Sequence, residues 1–66
     1  MIIADFTKPE LDYFRENCNF VNDEIQVFEM RSKGHTMEEI AESLDVSIDK
    51  AYKISGKVKK KILKVI

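Results

Sequence analysis

The chain has 66 residues, of which 44% are hydrophobic and 35% are charged, and its net charge is −1. This length allows one domain with a small core, over residues 1–66, and no apolar run approaches the ~20 residues of a membrane span. The single Cys18 excludes an intrachain disulfide, and no Cys/His group has the spacing of metal ligands. We therefore expect a reducing, cytoplasmic setting, no membrane association, no metal and no cofactor.

The charged residues divide between two parts of the chain. Residues 1–49 contain all twelve acidic side chains and four basic ones, whereas residues 50–66 contain seven lysines and no acidic residue. This asymmetry predicts a basic surface at one end of the molecule, as in proteins that bind nucleic acid. The same lysines also suit the solvated face of a terminal helix, because cations stabilise the C-terminal end of a helix dipole.

The first predicted helix runs from Lys8 to about Asn17. Thr7 and Glu10 have the spacing of a capping box, in which each side chain satisfies a free N–H of the first turn. Pro9 lies in the first turn, where its missing N–H costs no hydrogen bond. The buried face is predicted from apolar residues three and four positions apart: Leu11, Phe14 and Cys18.

The second predicted helix covers residues 23–33, and Gly34 follows it as a left-handed C-terminal cap. Val21 lies at the expected N-cap position, and Asn22 offers a capping side chain one residue later. A broad apolar arc is predicted on this helix: Ile25, Val27, Phe28 and Met30. We expect the arc to contact both the first helix and the helices that follow.

Residues 36–57 predict two helices separated by three residues. Thr36 and Glu39 form a second capping box at the start of a helix over Met37–Leu44. The inward face of this helix is expected to hold Ile40, Ala41 and Leu44, with the small Ala41 at the helix crossing.

The fourth predicted helix begins at Ile48 and continues towards the C-terminus. Ser47 is placed to cap it, and Asp45 in the preceding turn is able to adopt a left-handed conformation. Its inward positions are Ala51, Ile54 and Val58. Gly56 lowers helix propensity, which indicates a close approach of DNA or another helix, or a local bend. No strand or repeat pattern occurs, so we predict an all-α four-helix bundle.

The two helices of residues 36–57 resemble the helix-turn-helix of bacterial transcription regulators, specifically that of sigma-factor region 4 and of LuxR-type domains. The resemblance rests on Glu39, Ile40, Ala41, Leu44, Val46, Ser47, Ala51, Ile54, Lys57, Lys61 and Ile62. It extends upstream through Glu24, Val27, Phe28, Lys33 and Gly34 and covers about two-thirds of the chain. It implies that the bundle contains a helix-turn-helix that binds double-stranded DNA.

In such a motif the N-terminal part of the second helix enters the major groove. With the apolar residues inward, the predicted groove side holds Ile48, Asp49, Tyr52, Lys53, Gly56 and Lys57. Lys53 suits guanine O6 and N7, Ile48 a thymine methyl and Asp49 the amino group of cytosine. Phosphate contacts are expected from Ser47, Lys33, Thr36, Lys50, Lys57 and Lys60.

We therefore expect a DNA-binding transcription regulator. The alternative is a protein-interaction module that docks on RNA polymerase or another regulator and does not itself bind DNA. An enzyme is not expected, because the sequence offers no paired carboxylates, phosphate-binding loop or activated nucleophile. His35 is expected to face solvent, without a catalytic role.

The end of the fourth helix allows two arrangements. In the first, a homodimer forms through Val58, Ile62, Leu63, Val65 and Ile66. In the second, Ile2, Ile3 and Phe6 fold back over this surface within one chain and leave a monomer. The pattern alone leaves both arrangements open.

Overall fold

A computed structural model describes residues 2–66 and contains four helices. The helices are α1 (Lys8–Asn17), α2 (Asp23–Ser32), α3 (Met37–Leu44) and α4 (Ile48–Val65), and a 3-10 turn at Ile3–Asp5 precedes them. The described residues contain no strand, so the predicted all-α class with four helices is confirmed. Among these helices, none is long and apolar enough to cross a membrane.

Capping boxes begin α1 and α3, as predicted. The Glu10 N–H donates to Thr7 Oγ1 at 3.4 Å, and the Thr7 N–H donates to the Glu10 carboxylate at 2.9 Å. The corresponding bonds between Thr36 and Glu39 measure 3.2 and 2.8 Å. Both glutamates have a lowered pKa, chiefly because the backbone N–H donates to the charged carboxylate.

Left-handed residues end α2 and α3. Gly34 has a φ of 87°, and the His35 N–H donates to the Met30 carbonyl at 3.1 Å. Asp45 has φ 56° and ψ 47°, and the next N–H donates to the Ala41 carbonyl at 3.0 Å. These bonds satisfy carbonyls that a helix end otherwise leaves free. The conformations predicted for Gly34 and Asp45 are confirmed.

The start of α2 differs from the prediction. Asn22 occupies the N-cap position with a φ of 48°, but its side chain accepts no capping hydrogen bond. Instead, the Val21 N–H donates to the Glu24 carboxylate at 3.2 Å. The expected N-cap at Val21 and the capping bond offered by the Asn22 side chain are both wrong, because Asn22 is the N-cap without a side-chain bond, and Glu24 accepts from an N–H that lies before the helix.

The core joins all the helices and the 3-10 turn. Its largest fully buried side chains are Ile3, Val27, Phe28, Ile40, Val58 and Ile62. Ala41 and Ala51 are also buried, on the two helices α3 and α4 that pack against each other. Ile25 departs from the predicted apolar arc of α2, since 38% of it is exposed. The support that α2 gives to later helices therefore comes mainly from its other apolar residues.

The link between α1 and α2 includes a polar contact. Arg15 Nε donates to the Glu29 carboxylate at 2.5 Å, and the guanidinium lies 5.6 Å from the centre of the Phe28 ring. The hydrogen bond to Glu29 is the main reason that the pKa of Arg15 is raised. Arg15 thus covers the edge of the core at Phe28 and remains paired with Glu29.

The N-terminal segment enters the core of its own chain. Ile3 is buried, whereas Ile2 is 57% exposed. Val58 and Ile62 are fully buried within one chain, so they offer no surface to a second copy. The prediction that these two residues form a dimer surface is wrong, because the fold already covers them. Leu63 and Ile66 remain exposed, and Val65 is half-buried.

Candidate nucleic-acid interface

The candidate site lies on α4 and on the turn that joins α3 to it. Residues 45–47 form the connection, and the Lys50 N–H donates to Ser47 Oγ at 3.2 Å at the start of α4. This confirms Ser47 as the cap. Because α3 packs on α4 and the turn holds only three residues, the first turns of α4 have a fixed position relative to the core.

The first turns of α4 present two rows of exposed side chains. Ile48 and Tyr52 lie four residues apart and are 41% and 58% exposed, respectively. Asp49 and Lys53 form a neighbouring row with the same spacing, and both are exposed. Residues four apart share a helix face, so one row pairs an aliphatic with an aromatic side chain and the other pairs an acceptor with a donor. The helix thus presents side chains that suit methyl groups, amino groups and acceptors on base edges.

A row of lysines runs along α4 and includes Lys53. We call it the lysine stripe: Lys50, Lys53, Lys57, Lys60 and Lys64, spaced alternately three and four residues apart. All five are exposed. At 1.5 Å per residue the stripe is about 21 Å long. Its charges therefore lie on one side of the helix and form a continuous basic strip.

Lys61 is not part of this stripe, because it is bound within the fold. Its Nζ donates to the Glu24 carboxylate and to the Asn19 carbonyl, the latter at 2.6 Å. The bond from Lys61 is the main reason that the pKa of Glu24 is lowered. Lys61 therefore ties the C-terminal part of α4 to the start of α2 and to the connector before it. Lys59, the remaining lysine of α4, is half-buried.

The other residues predicted to contact phosphate are also accessible. Lys33 and Thr36 are exposed near the start of α3, and Ser47 is exposed at the start of α4. The Ser47 hydroxyl oxygen accepts a capping bond, which leaves its O–H proton free to donate, whereas the Thr36 hydroxyl also bonds to the Glu39 carboxylate. A phosphate oxygen is a suitable acceptor for such a proton.

Gly56 lies on the outward side of α4 and is half-buried. A Cβ built at this position meets no atom within 4 Å. Close packing against another helix of the same chain therefore does not explain the glycine. Of the explanations drawn from the sequence, the approach of DNA and a local bend remain.

Lys64 belongs to the predicted basic surface but is absent from the residues predicted to contact DNA. The signal was present, since Lys64 continues the alternating spacing of the lysines before it. The difference between Lys60 and Lys61 had no such signal, because Lys61 is bound by a carboxylate 37 residues away in the sequence. Only the packing of α2 on α4 shows that Lys61 is bound by Glu24, whereas Lys60 remains exposed.

Acidic side chains surround the basic surface on the α3 side. Glu38, Glu42 and Asp45 are exposed on α3 and in the turn after it. Together with Asp49 they oppose a close approach of phosphate there, because like charges repel. Phosphate is therefore disfavoured beside α3. Asp23 and Glu24, which line a hollow together with Lys50 and Lys57, reduce the positive potential at that part of the lysine stripe.

The remaining reactive side chains form no site of their own. Among residues 2–66, no group of three His, Cys, Asp or Glu side chains is able to hold a metal. Cys18 is buried, and this burial raises the pKa of its thiol, which disfavours the reactive thiolate. His35 is half-exposed, with Nδ1 3.7 Å from a carboxylate oxygen of Glu39.

No protein-family model, curated protein or solved structure matches the chain. The evidence for function lies in the exposed side chains of α4 and in the turn that fixes them.

Proposed function

We propose that the chain is a DNA-binding transcription regulator in which α3, the turn and α4 act as a helix-turn-helix. In this proposal α4 enters the major groove of double-stranded DNA. The observation that supports it most is the exposed face of α4, where the lysine stripe runs beside two rows of side chains suited to base edges.

The dimensions and chemistry of this face fit a major groove. The groove is about 12 Å wide and admits one α-helix. Lys53 is the candidate donor to guanine, and Ile48 is the candidate contact to a thymine methyl. Lys50, Lys57 and Lys60 are assigned to phosphates, together with the residues predicted near the start of α3: Lys33 and Thr36. Phosphate contacts fix the position of the protein on the duplex but do not select a sequence.

Titration of labelled random-sequence duplex DNA at low and moderate salt tests this proposal. If Lys33, Lys50, Lys57 and Lys60 each neutralise one phosphate, log K falls with log salt at a slope of roughly −3.6. Lys60→Ala should reduce the slope by about one and weaken binding to all sequences alike. Lys53→Ala should also relax base preference in a selected site, because Lys53 is assigned to a base.

The control for these variants is Lys8→Ala, which removes one positive charge from an exposed position on α1. It should leave the salt slope unchanged, since Lys8 lies outside the proposed interface. Absence of binding at both salt concentrations would refute the DNA proposal and favour the alternative.

The alternative is a module that docks on RNA polymerase or another regulatory protein. It is favoured by an apolar hollow of about 370 Å³, far from the first turns of α4. The hollow is lined by Phe6, Pro9, Glu10, Tyr13, Phe14 and Ile66. Exposed apolar surface of this kind is typical of protein contacts. Under this alternative, Ile66→Glu, which places a charge in the lining of the hollow, disrupts partner binding and Lys53→Ala does not.

A further inference from the structure

Asp49 is the one acidic side chain in the rows that α4 presents to the groove. It is exposed in the first turn, four residues before Lys53. Among residues 2–66, no basic nitrogen lies within 4.0 Å of its carboxylate. The positive end of the helix dipole stabilises an acidic residue at this position. This stabilisation accounts for an acidic residue on a helix that faces only solvent. It does not account for one on a surface that contacts DNA.

A carboxylate that enters the major groove must find a donor, because an unpaired charge removed from water is costly. Base edges offer two kinds of donor there, the N4 amino group of cytosine and the N6 amino group of adenine. Adenine places its N7 acceptor beside N6, and two acceptors repel each other. Cytosine has no acceptor of its own beside N4. The carboxylate therefore selects cytosine over adenine, guanine and thymine.

We propose that Asp49 is a specificity-determining residue that accepts from a cytosine N4 amino group, with Lys53 donating to a guanine in the same or the adjacent base pair. This inference rests on the proposed function and names the kind of site that it recognises. Side chains four apart on a helix are about 6 Å apart at Cβ, close enough to contact one base pair or two neighbouring ones. A cytosine–guanine pair presents the amino donor and the O6 and N7 acceptors that these two side chains require.

The test is selection from a pool of randomised duplexes, performed with the wild-type chain and with Asp49→Asn. Wild type should enrich cytosine at one position, and replacement of that pair by T·A should weaken binding by about tenfold. Asp49→Asn should lose the cytosine preference and gain adenine at the same position, because an amide pairs with adenine N6 and N7. It should also bind random DNA roughly threefold more tightly, since it no longer repels phosphate.

Asp5→Asn is the matched control, because it makes the same chemical change at an exposed position in the 3-10 turn. It should retain the cytosine preference. A purely structural role for Asp49 predicts lower stability in Asp49→Asn with unchanged base preference, and that result would overturn the inference. DNA binding by wild type without cytosine enrichment would overturn this inference alone, whereas absence of DNA binding would overturn the proposed function as well.

Discussion

Ala41 occupies a buried position on the helix that packs against the start of α4, where its small size matters. Ala41→Leu adds three carbon atoms to a filled region, so the two helices must separate or a neighbour must change rotamer. We expect the free energy of unfolding to fall by ~1–3 kcal/mol, which is a large share for a domain of this size. Urea denaturation followed by circular dichroism measures the change.

The same substitution at Ala4 serves as its control. Ala4 is exposed in the 3-10 turn, so Ala4→Leu adds the same atoms without overpacking. Its effect should stay within about 0.5 kcal/mol. An Ala41→Leu chain with the midpoint and slope of wild type would mean that α3 and α4 do not meet closely at this residue.

Glu24 makes the stability of the chain depend on pH. Its lowered pKa means that the folded chain binds a proton less readily than the unfolded chain does. The resulting stabilisation is therefore present above the ordinary glutamate pKa and is lost as the pH falls through the lowered one. Glu24→Gln keeps the shape but not the charge, so the variant should be less stable than wild type near pH 7.

This difference should shrink as the pH falls below about 4.5 and through the lowered pKa of Glu24, because wild-type Glu24 then becomes protonated and loses its ionic bond to Lys61. Urea midpoints of both chains over this range measure the effect. Glu16→Gln, at an exposed position on α1, is the control and should differ little from wild type at any pH. A constant difference between Glu24→Gln and wild type would show that the charge of Glu24 contributes nothing.

At the scale of helices, local signals predicted the boundaries well. The bounds of α1 and α3 are those predicted, and α2 ends one residue earlier than expected. Capping residues and Gly34 act within a few positions of each boundary, so the sequence reveals them directly. The 3-10 turn and the role of Glu24 were not predicted, because both depend on contacts with distant parts of the chain.

The same distinction applies to the candidate site. The outward side of α4 followed from the spacing of its apolar residues, and the structure leaves the predicted polar residues exposed. The binding of Lys61 by Glu24 did not follow from any spacing, because it depends on how α2 packs against α4. Periodicity thus predicts which face of a helix is free, whereas tertiary contacts decide which charges on that face are available.

Gly56 allows a test of α4 as an element. Alanine has the higher helix propensity, and a Cβ at this position meets nothing within 4 Å. Gly56→Ala should therefore stabilise the chain by about 1 kcal/mol. If the DNA groove approaches α4 at this point, the same variant should bind DNA less tightly although it folds more stably. Denaturation and DNA titration of one sample measure the two effects.

Gly34→Ala is a matched control for the stability measurement. A Cβ there also meets nothing within 4 Å, but Gly34 has a φ of 87°. Alanine is strained in that conformation, so this variant should lose about 1 kcal/mol. If Gly56→Ala were also destabilised, a bend in α4 at Gly56 would be the better explanation for the glycine, since a Cβ there meets no atom within 4 Å.

At the scale of the whole molecule, the N-terminal segment completes the core within one chain. Ile3 is buried in the same cluster as Val58 and Ile62, so no second copy is needed to cover them. A homodimer stays a prediction, and its surface is now limited to the exposed end of α4, at Leu63 and Ile66, with the half-buried Val65 beside them. Such a dimer would place two proposed recognition helices on one duplex.

Ile62 and Leu63 are neighbours in the sequence, and the same substitution should affect them in opposite ways. Ile62 is fully buried, so Ile62→Glu places a charge in the core without a partner. This change costs several kcal/mol, comparable to the whole stability of a small domain, and should unfold the chain. Leu63 is 63% exposed, so Leu63→Glu should fold normally. Circular dichroism distinguishes the two variants, and a folded Ile62→Glu chain would contradict the packing described for α4.

Sedimentation equilibrium of wild type and Leu63→Glu at micromolar concentration then tests the homodimer. If the dimer uses the exposed end of α4, wild type should sediment as a dimer and Leu63→Glu as a folded monomer, because a charge opposes burial of apolar surface between copies. The variant retains the whole lysine stripe, so its DNA binding measures what dimerisation adds to affinity. A wild-type chain that remains monomeric over this range rejects the homodimer. Any extended DNA site would then have to be occupied by neighbouring copies that contact the duplex independently.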